Sequence, residues 1–189
     1  MTGLEISMKR YPSRRGFLFA SLVAMAAFSP LSSVSAAPRL LTPSPQVLLG
    51  ALASGLKYDL TGAQGAQEQV FDGYMRLRLP ADLLFQPGAE SVSRSGIDVL
   101  TAIAPRIARE NGFRMEIVGH VGGTTHSSKA YIASRRRAEA VKAVLLSRGV
   151  PPSKSIITTG LGDLYPIYPN DTRADAMKNA RIELIFRPL

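Results

Sequence analysis

Arg137 is the side chain whose type and spacing best fit it to hold a ligand. At about 100° per residue, Ala138, Val141, Val144 and Leu145 draw the apolar arc of a helix predicted over Ser128–Arg148. Arg137 falls inside that arc, whereas Arg135, Arg136, Glu139 and Lys142 fall outside it. A guanidinium on the core side must extend its head to water or meet an anion, and its planar fork suits a carboxylate. Two readings stay open: a contact to a ligand carboxylate, or a structural arginine bonding loop carbonyls. Upstream, Gly122-Gly123-Thr124-Thr125 reads as a small-residue loop whose amides and hydroxyls can take an anion, although ordinary turns share that composition. His120 and His126 do not supply a zinc ligand set, being two histidines with no nearby acid. His120 reads as a polar residue closing the end of a strand, and His126 as an exposed loop residue.

The elements that must position these residues follow from periodicity. Met75, Leu77 and Leu79 alternate with Arg76 and Arg78 as in a half-buried strand. Val92, Ile97, Leu100, Ile103, Ala104 and Ile107 recur at helical spacing, with Ser93 or Ser95 as cap, Asn111-Gly112 as stop and a kink expected at Pro105. Phe113, Met115 and Ile117 alternate as a second strand. The Ser128–Arg148 helix ends at Gly149 with Pro151 and Pro152 beyond it. A third strand over Ser155–Thr159, a helical turn over Asp171–Lys178, and a last strand with Ile182, Leu184 and Phe186 inward complete the order βαβαβαβ. Charges alternating along the strands imply helices on one face of the sheet and solvent on the other. Val47–Leu56, broken by Gly50 and Gly55, reads as weak helix, either packed on its own domain or docking to a partner protein. Thr61–Gln69 reads as linker.

The chain has 189 residues, 46% hydrophobic and 20% charged, enough for one ordinary domain with appendages. It has no cysteine, which excludes disulfides, thiolate nucleophiles and cysteine-bound zinc. No catalytic motif stands above background and no cofactor is implied: G-x-S-x-G, paired carboxylates by a histidine and a phosphate loop are all missing. The formal charge is +9, part of it carried by Lys9, Arg10, Arg14 and Arg15. Ser13-Arg14-Arg15-Gly16-Phe17-Leu18 is close to a twin-arginine export consensus, an apolar run follows to Phe28, and Val34 and Ala36 fit a signal-peptidase site. The sequence thus predicts a signal peptide over 1–36 cleaved after Ala36, an extension and linker over 37–69, and a domain over 70–189. An uncleaved anchor is the alternative, and the apolar run argues against it by falling short of the ~20 residues of a spanning helix. A periplasmic destination argues against nucleic acid as partner, and no transmembrane segment is expected in the mature chain.

From about Tyr74 to Leu189 the chain resembles the OmpA C-terminal domain family, including its Pal and MotB branches. Gly119-His120 matches the start of the family's G-H-T-D, and Ser134, Arg137 and Ala138 match its S-x-x-R-A at the usual spacing. Gly160-Leu161-Gly162-Asp163, Pro166, Asn179 and Arg181 match further points. The resemblance implies an α/β (α+β) two-layer sandwich on a mixed sheet, and noncovalent binding of peptidoglycan through the diaminopimelate of the stem peptide. It implies that Arg137 takes the ligand carboxylate, with Gly122, Gly123, Thr124 and Thr125 lining the pocket. Gly122 stands where the family has the acid that takes the ligand ammonium. Binding is therefore expected to be weak or altered, because an unpaired desolvated ammonium costs about 2–5 kcal/mol. Asp163, Asp171 and Asp175 are the acids available to fill the gap. The alternative is a degenerate member acting as an interaction or structural module of an envelope assembly, with Val47–Leu56 as its docking element.

Overall fold

In the computed structural model, residues 43–123, 127–152 and 154–189 are described. The element order is α1 (Pro45–Asp59), β1 (Gln67–Phe71), β2 (Tyr74–Pro80), α2 (Ala81–Leu84), α3 (Arg94–Arg109), β3 (Phe113–His120), α4 (Ser128–Ser147), β4 (Ile156–Gly160), α5 (Arg173–Asn179) and β5 (Arg181–Pro188). The five strands form one mixed sheet in the order β1-β2-β5-β3-β4, antiparallel except for the β3/β4 pair. This is the expected α+β architecture with one strand more than periodicity predicts. The added strand, β1, lies where a linker is expected, hairpin-paired to β2 from Gln67↔Arg78 to Phe71↔Tyr74.

The inward faces of the strands behave as alternation requires. Met75, Leu77, Leu79, Met115, Ile117, Ile182, Leu184 and Phe186 are buried against Leu100, Ile103, Ala104 and Ile107 of α3 and Ala138, Val141 and Leu145 of α4. Ser93 caps α3 by accepting from the Gly96 amide at 3.0 Å. Pro105 does not end α3, which runs on to Arg109 with the proline on its exposed side.

Two expectations are corrected. Val47–Leu56 is part of a four-turn helix, capped by Ser44 with Pro45 at its first position, and Leu49, Leu52 and Leu56 are fully buried in the core. Its apolar face thus packs within the chain, the first of the two readings, and the segment is no weak helix. The core accordingly begins well before residue 70. Gly55 has a tertiary reason: a Cβ there would fall 2.3 Å from the Arg106 guanidinium, which passes over it to grip Asp59 at 2.5 and 3.1 Å. The second correction concerns the outer face of β5. Arg181 and Glu183 are not solvated, with side chains only 5% and 7% exposed, because the segment between β4 and α5 closes on Arg181 while Arg76, Arg78 and Arg181 surround Glu183.

Candidate functional site

Arg137 lies on α4, whose position is set by close backbone contact with the sheet. A Cβ on Gly119 would lie 2.0 Å from the Ser134 carbonyl oxygen, and one on Gly160, its partner across β3/β4, 2.5 Å from the Arg135 amide nitrogen. Only glycines allow the helix to sit this low. Ser134 is fully buried there, donating to the Tyr131 carbonyl and accepting from the Gly162 amide at 2.9 Å. Gly119 and Ser134 therefore set the height of the helix that carries Arg137.

The Arg137 guanidinium stacks over the Phe85 ring at 5.2 Å, and its Nε donates to the Ala89 carbonyl at 2.9 Å. That is its only hydrogen bond among the described residues, so its terminal nitrogens remain available. Desolvation by burial pulls its pKa below the usual arginine value, and the field of Glu90 only opposes this. A half-buried cation in this state gains from an added anion. The side chain lines a groove of about 730 Å³ that also presents Arg78, Arg173, Lys178, Phe85 and Tyr168, with Asp82 as its acid among the described lining residues.

Gly122 and Gly123 are not among the residues lining this groove. A Cβ on Gly122 would fall 1.7 Å from the Ala176 carbonyl oxygen, so the backbone of α5 occupies the space a side chain at this position would need. The expected pocket shared by Gly122 and Arg137 thus has no counterpart in this groove. Thr124, Thr125 and His126 lie outside the described residues, as does the predicted leader. Of the three acids that could fill the gap, Asp175 caps α5 with Thr172 and pairs with Lys178 at 3.7 Å. Asp163 is buried, and its Oδ2 lies 3.9 Å from where a Gly123 Cβ would be.

The remaining motif residues hold the loop over residues 161–170. Asn179 uses its whole side chain: Oδ1 accepts from the amides of Ile167 and Tyr168, and Nδ2 donates to the Tyr168 carbonyl and Asn170 Oδ1. Arg181 donates to Glu183 at 2.8 Å, to the Asn179 carbonyl at 2.9 Å and to the Tyr165 carbonyl at 3.0 Å. Sequence reasoning missed this cluster because alternation places Arg181 and Glu183 on a face that looks solvated.

His120 ends β3, as expected, with Nδ1 at 3.2 Å from the Leu164 carbonyl. Burial, then the charge of Arg181, lower its pKa from 6.5 to about 4, against the opposing field of Glu183. The unfolded chain therefore binds a proton near pH 6.5 that the folded chain refuses until about pH 4. Stability from this group is complete above pH 6.5 and declines as pH falls through that window, by about 3 kcal/mol in all. Urea denaturation at pH 7.5 and pH 5 is expected to show the decline, and His120→Gln to flatten it.

Comparison with known proteins accords with this fold. The chain is 33% identical over 107 residues to Outer membrane protein A of Bordetella avium, covering 55% of this chain and 53% of that protein. It spans about half the length of that protein, as it does of other curated relatives. Among solved structures, the periplasmic domain of Helicobacter pylori MotB aligns with a TM-score of 0.61 at 26% identity, over 68% of this chain and 82% of that one. The cell wall anchor of the T6SS from Pseudomonas aeruginosa shares the fold, with a TM-score of 0.63 at 18% identity, over 72% of this chain and 97% of that one. The OmpA family model matches residues 84–180, more than half of the sequence and all of α3 through α5, and the chain belongs to the OmpA family.

Proposed function

We propose that this is an exported envelope protein that associates noncovalently with peptidoglycan, Arg137 taking a carboxylate of the stem peptide. One observation carries the reading. Arg137 is half-buried, short of counter-charge, and lines an open groove with its terminal nitrogens uncommitted among the described residues. Arg78, Arg173 and Lys178 reinforce the preference for an anionic ligand, and Asp82 offers an acceptor for an ammonium on the same ligand. Membership of the OmpA family and the fold shared with a cell wall anchor support wall association in general. No helix among the described residues is long and apolar enough to cross a membrane.

A second reading, a module that keeps the fold for protein contacts, is favoured by the closure of α5 over Gly122. The test is cosedimentation of the full chain with diaminopimelate-type sacculi. Wild type is expected in the pellet and Arg137→Ala in the supernatant, weakened about thirtyfold or more if the arginine is a binding hot spot. A wild-type chain that stays in the supernatant would leave the second reading.

A further inference from the structure

The loop over residues 161–170 exposes large apolar side chains that the core does not use. Leu164 is 46% exposed, Tyr165 72%, Ile167 39% and Tyr168 41%, and Met177 of α5 beside them 61%. The backbone beneath them is held from below, with the carbonyls of Leu164, Tyr165 and Tyr168 engaged by His120, Arg181 and Asn179. Tyr165 is the non-glycine residue with positive φ, at 56°, among those described, and it precedes Pro166, whose ring favours an extended conformation before it. Such strain persists only where surrounding bonds impose it, and it marks functional surfaces more often than passive ones. Here the bonds beneath Tyr165 hold the backbone that carries an exposed phenol ring.

The geometry points to this loop as a platform for the sugar rings of the wall polymer's glycan strand, stacking on Tyr165 and continuing onto Tyr168. The inference rests on the wall-binding reading of the Arg137 groove. Ile167 and Tyr168 line that groove, so the patch is continuous with it. A polymer that places its peptide on Arg137 carries its glycan alongside. The chemistry matches: a pyranose ring offers an apolar C–H face with hydroxyl edges, and a tyrosine offers an apolar ring with a polar tip. Exposed Asp171 and Arg173 provide a polar rim for the hydroxyls. A tyrosine has only two side-chain torsions to order, so its ring loses little entropy on binding.

Tyr165→Asn separates structure from binding, because asparagine accepts positive φ and removes only the ring. In the full chain this substitution is expected to raise Tm by about 2–4 °C. It is also expected to weaken binding to diaminopimelate-type sacculi about three- to tenfold, while leaving affinity for a sugar-free stem tripeptide unchanged. Sacculus binding equal to wild type, or an equal loss with the tripeptide, would overturn the glycan platform. If wild type fails to pellet with sacculi, the wall-binding reading falls and this inference falls with it. If Arg137→Ala pellets like wild type while Tyr165→Asn does not, the arginine's role fails and the glycan platform stands.

Discussion

Glu183→Ala is expected to cost the fold about 3–5 kcal/mol, the penalty for removing one member of a buried ion pair. Glu183 is the acid on which Arg181, Arg78 and Arg76 converge, at 2.8, 3.5 and 3.7 Å. Burial alone would raise its pKa, but the hydrogen bond and charge of Arg181, with Arg76 behind it, hold it below the usual carboxylate range. Without this acid, a buried guanidinium and two half-buried ones face one another across neighbouring strands. The Nε atoms of Arg76 and Arg78 already lack hydrogen-bond partners among the described residues, and the acceptors that the three arginines keep, Gln67, Gln69 and two backbone carbonyls, carry no charge. Glu183→Gln keeps an acceptor for Arg181 and is expected to lose less. Glu116, whose pair with Arg187 is 3.5 Å long and about a third exposed, provides the contrast: its alanine variant is expected to lose under about 1 kcal/mol. Urea denaturation of the three variants checks the ranking, and a Glu183→Ala chain as stable as Glu116→Ala would contradict it.

Gly122→Asp, which writes the family's acid back into the sequence, is expected to damage the protein rather than restore a site. The new Cβ would meet the Ala176 carbonyl oxygen at 1.7 Å and its carbon at 2.3 Å, both backbone atoms that cannot swing aside. Either α5 lifts or the β3–α4 loop shifts. Overpacking of this kind costs about 1–3 kcal/mol or more. Because Arg173, Met177 and Lys178 of α5 line the Arg137 groove, its displacement also widens the groove. Amide exchange is the direct readout: protection at Ala176 and Ala180, which depends on the α5 backbone bonds, is expected to fall sharply. Unchanged protection and unchanged stability would mean that α5 does not close over Gly122.

Legibility in the sequence follows the range of the interactions. Strand alternation and the helical arcs of α3 and α4 are local signals, and they place the core and Arg137 correctly. Both readings of Arg137 also have a counterpart, since Nε bonds a loop carbonyl as a structural arginine would while the terminal nitrogens stay free among the described residues. What escaped is nonlocal. Gly55 looks like a helix breaker until Arg106, fifty-one positions on in the chain, is seen to fill the space above it. Arg181 and Glu183 alternate with apolar neighbours as a solvated face would, and their burial comes from the 161–170 loop on Arg181 and from the β2 arginines on Glu183. No local pattern announces that Ala176 would seal Gly122.

In the proposed function, ligand carboxylate is held in the groove at Arg137 and not at the closed Gly122 position. Amide chemical-shift mapping of the full chain titrated with a stem tripeptide containing diaminopimelate tests it most directly. Shifts are expected at Phe85, Ala89, Arg137 and Met177, with Gly122 and Ala176 undisturbed. Shifts concentrated at Gly122, Gly123 and Ala176, with the groove residues silent, would contradict it.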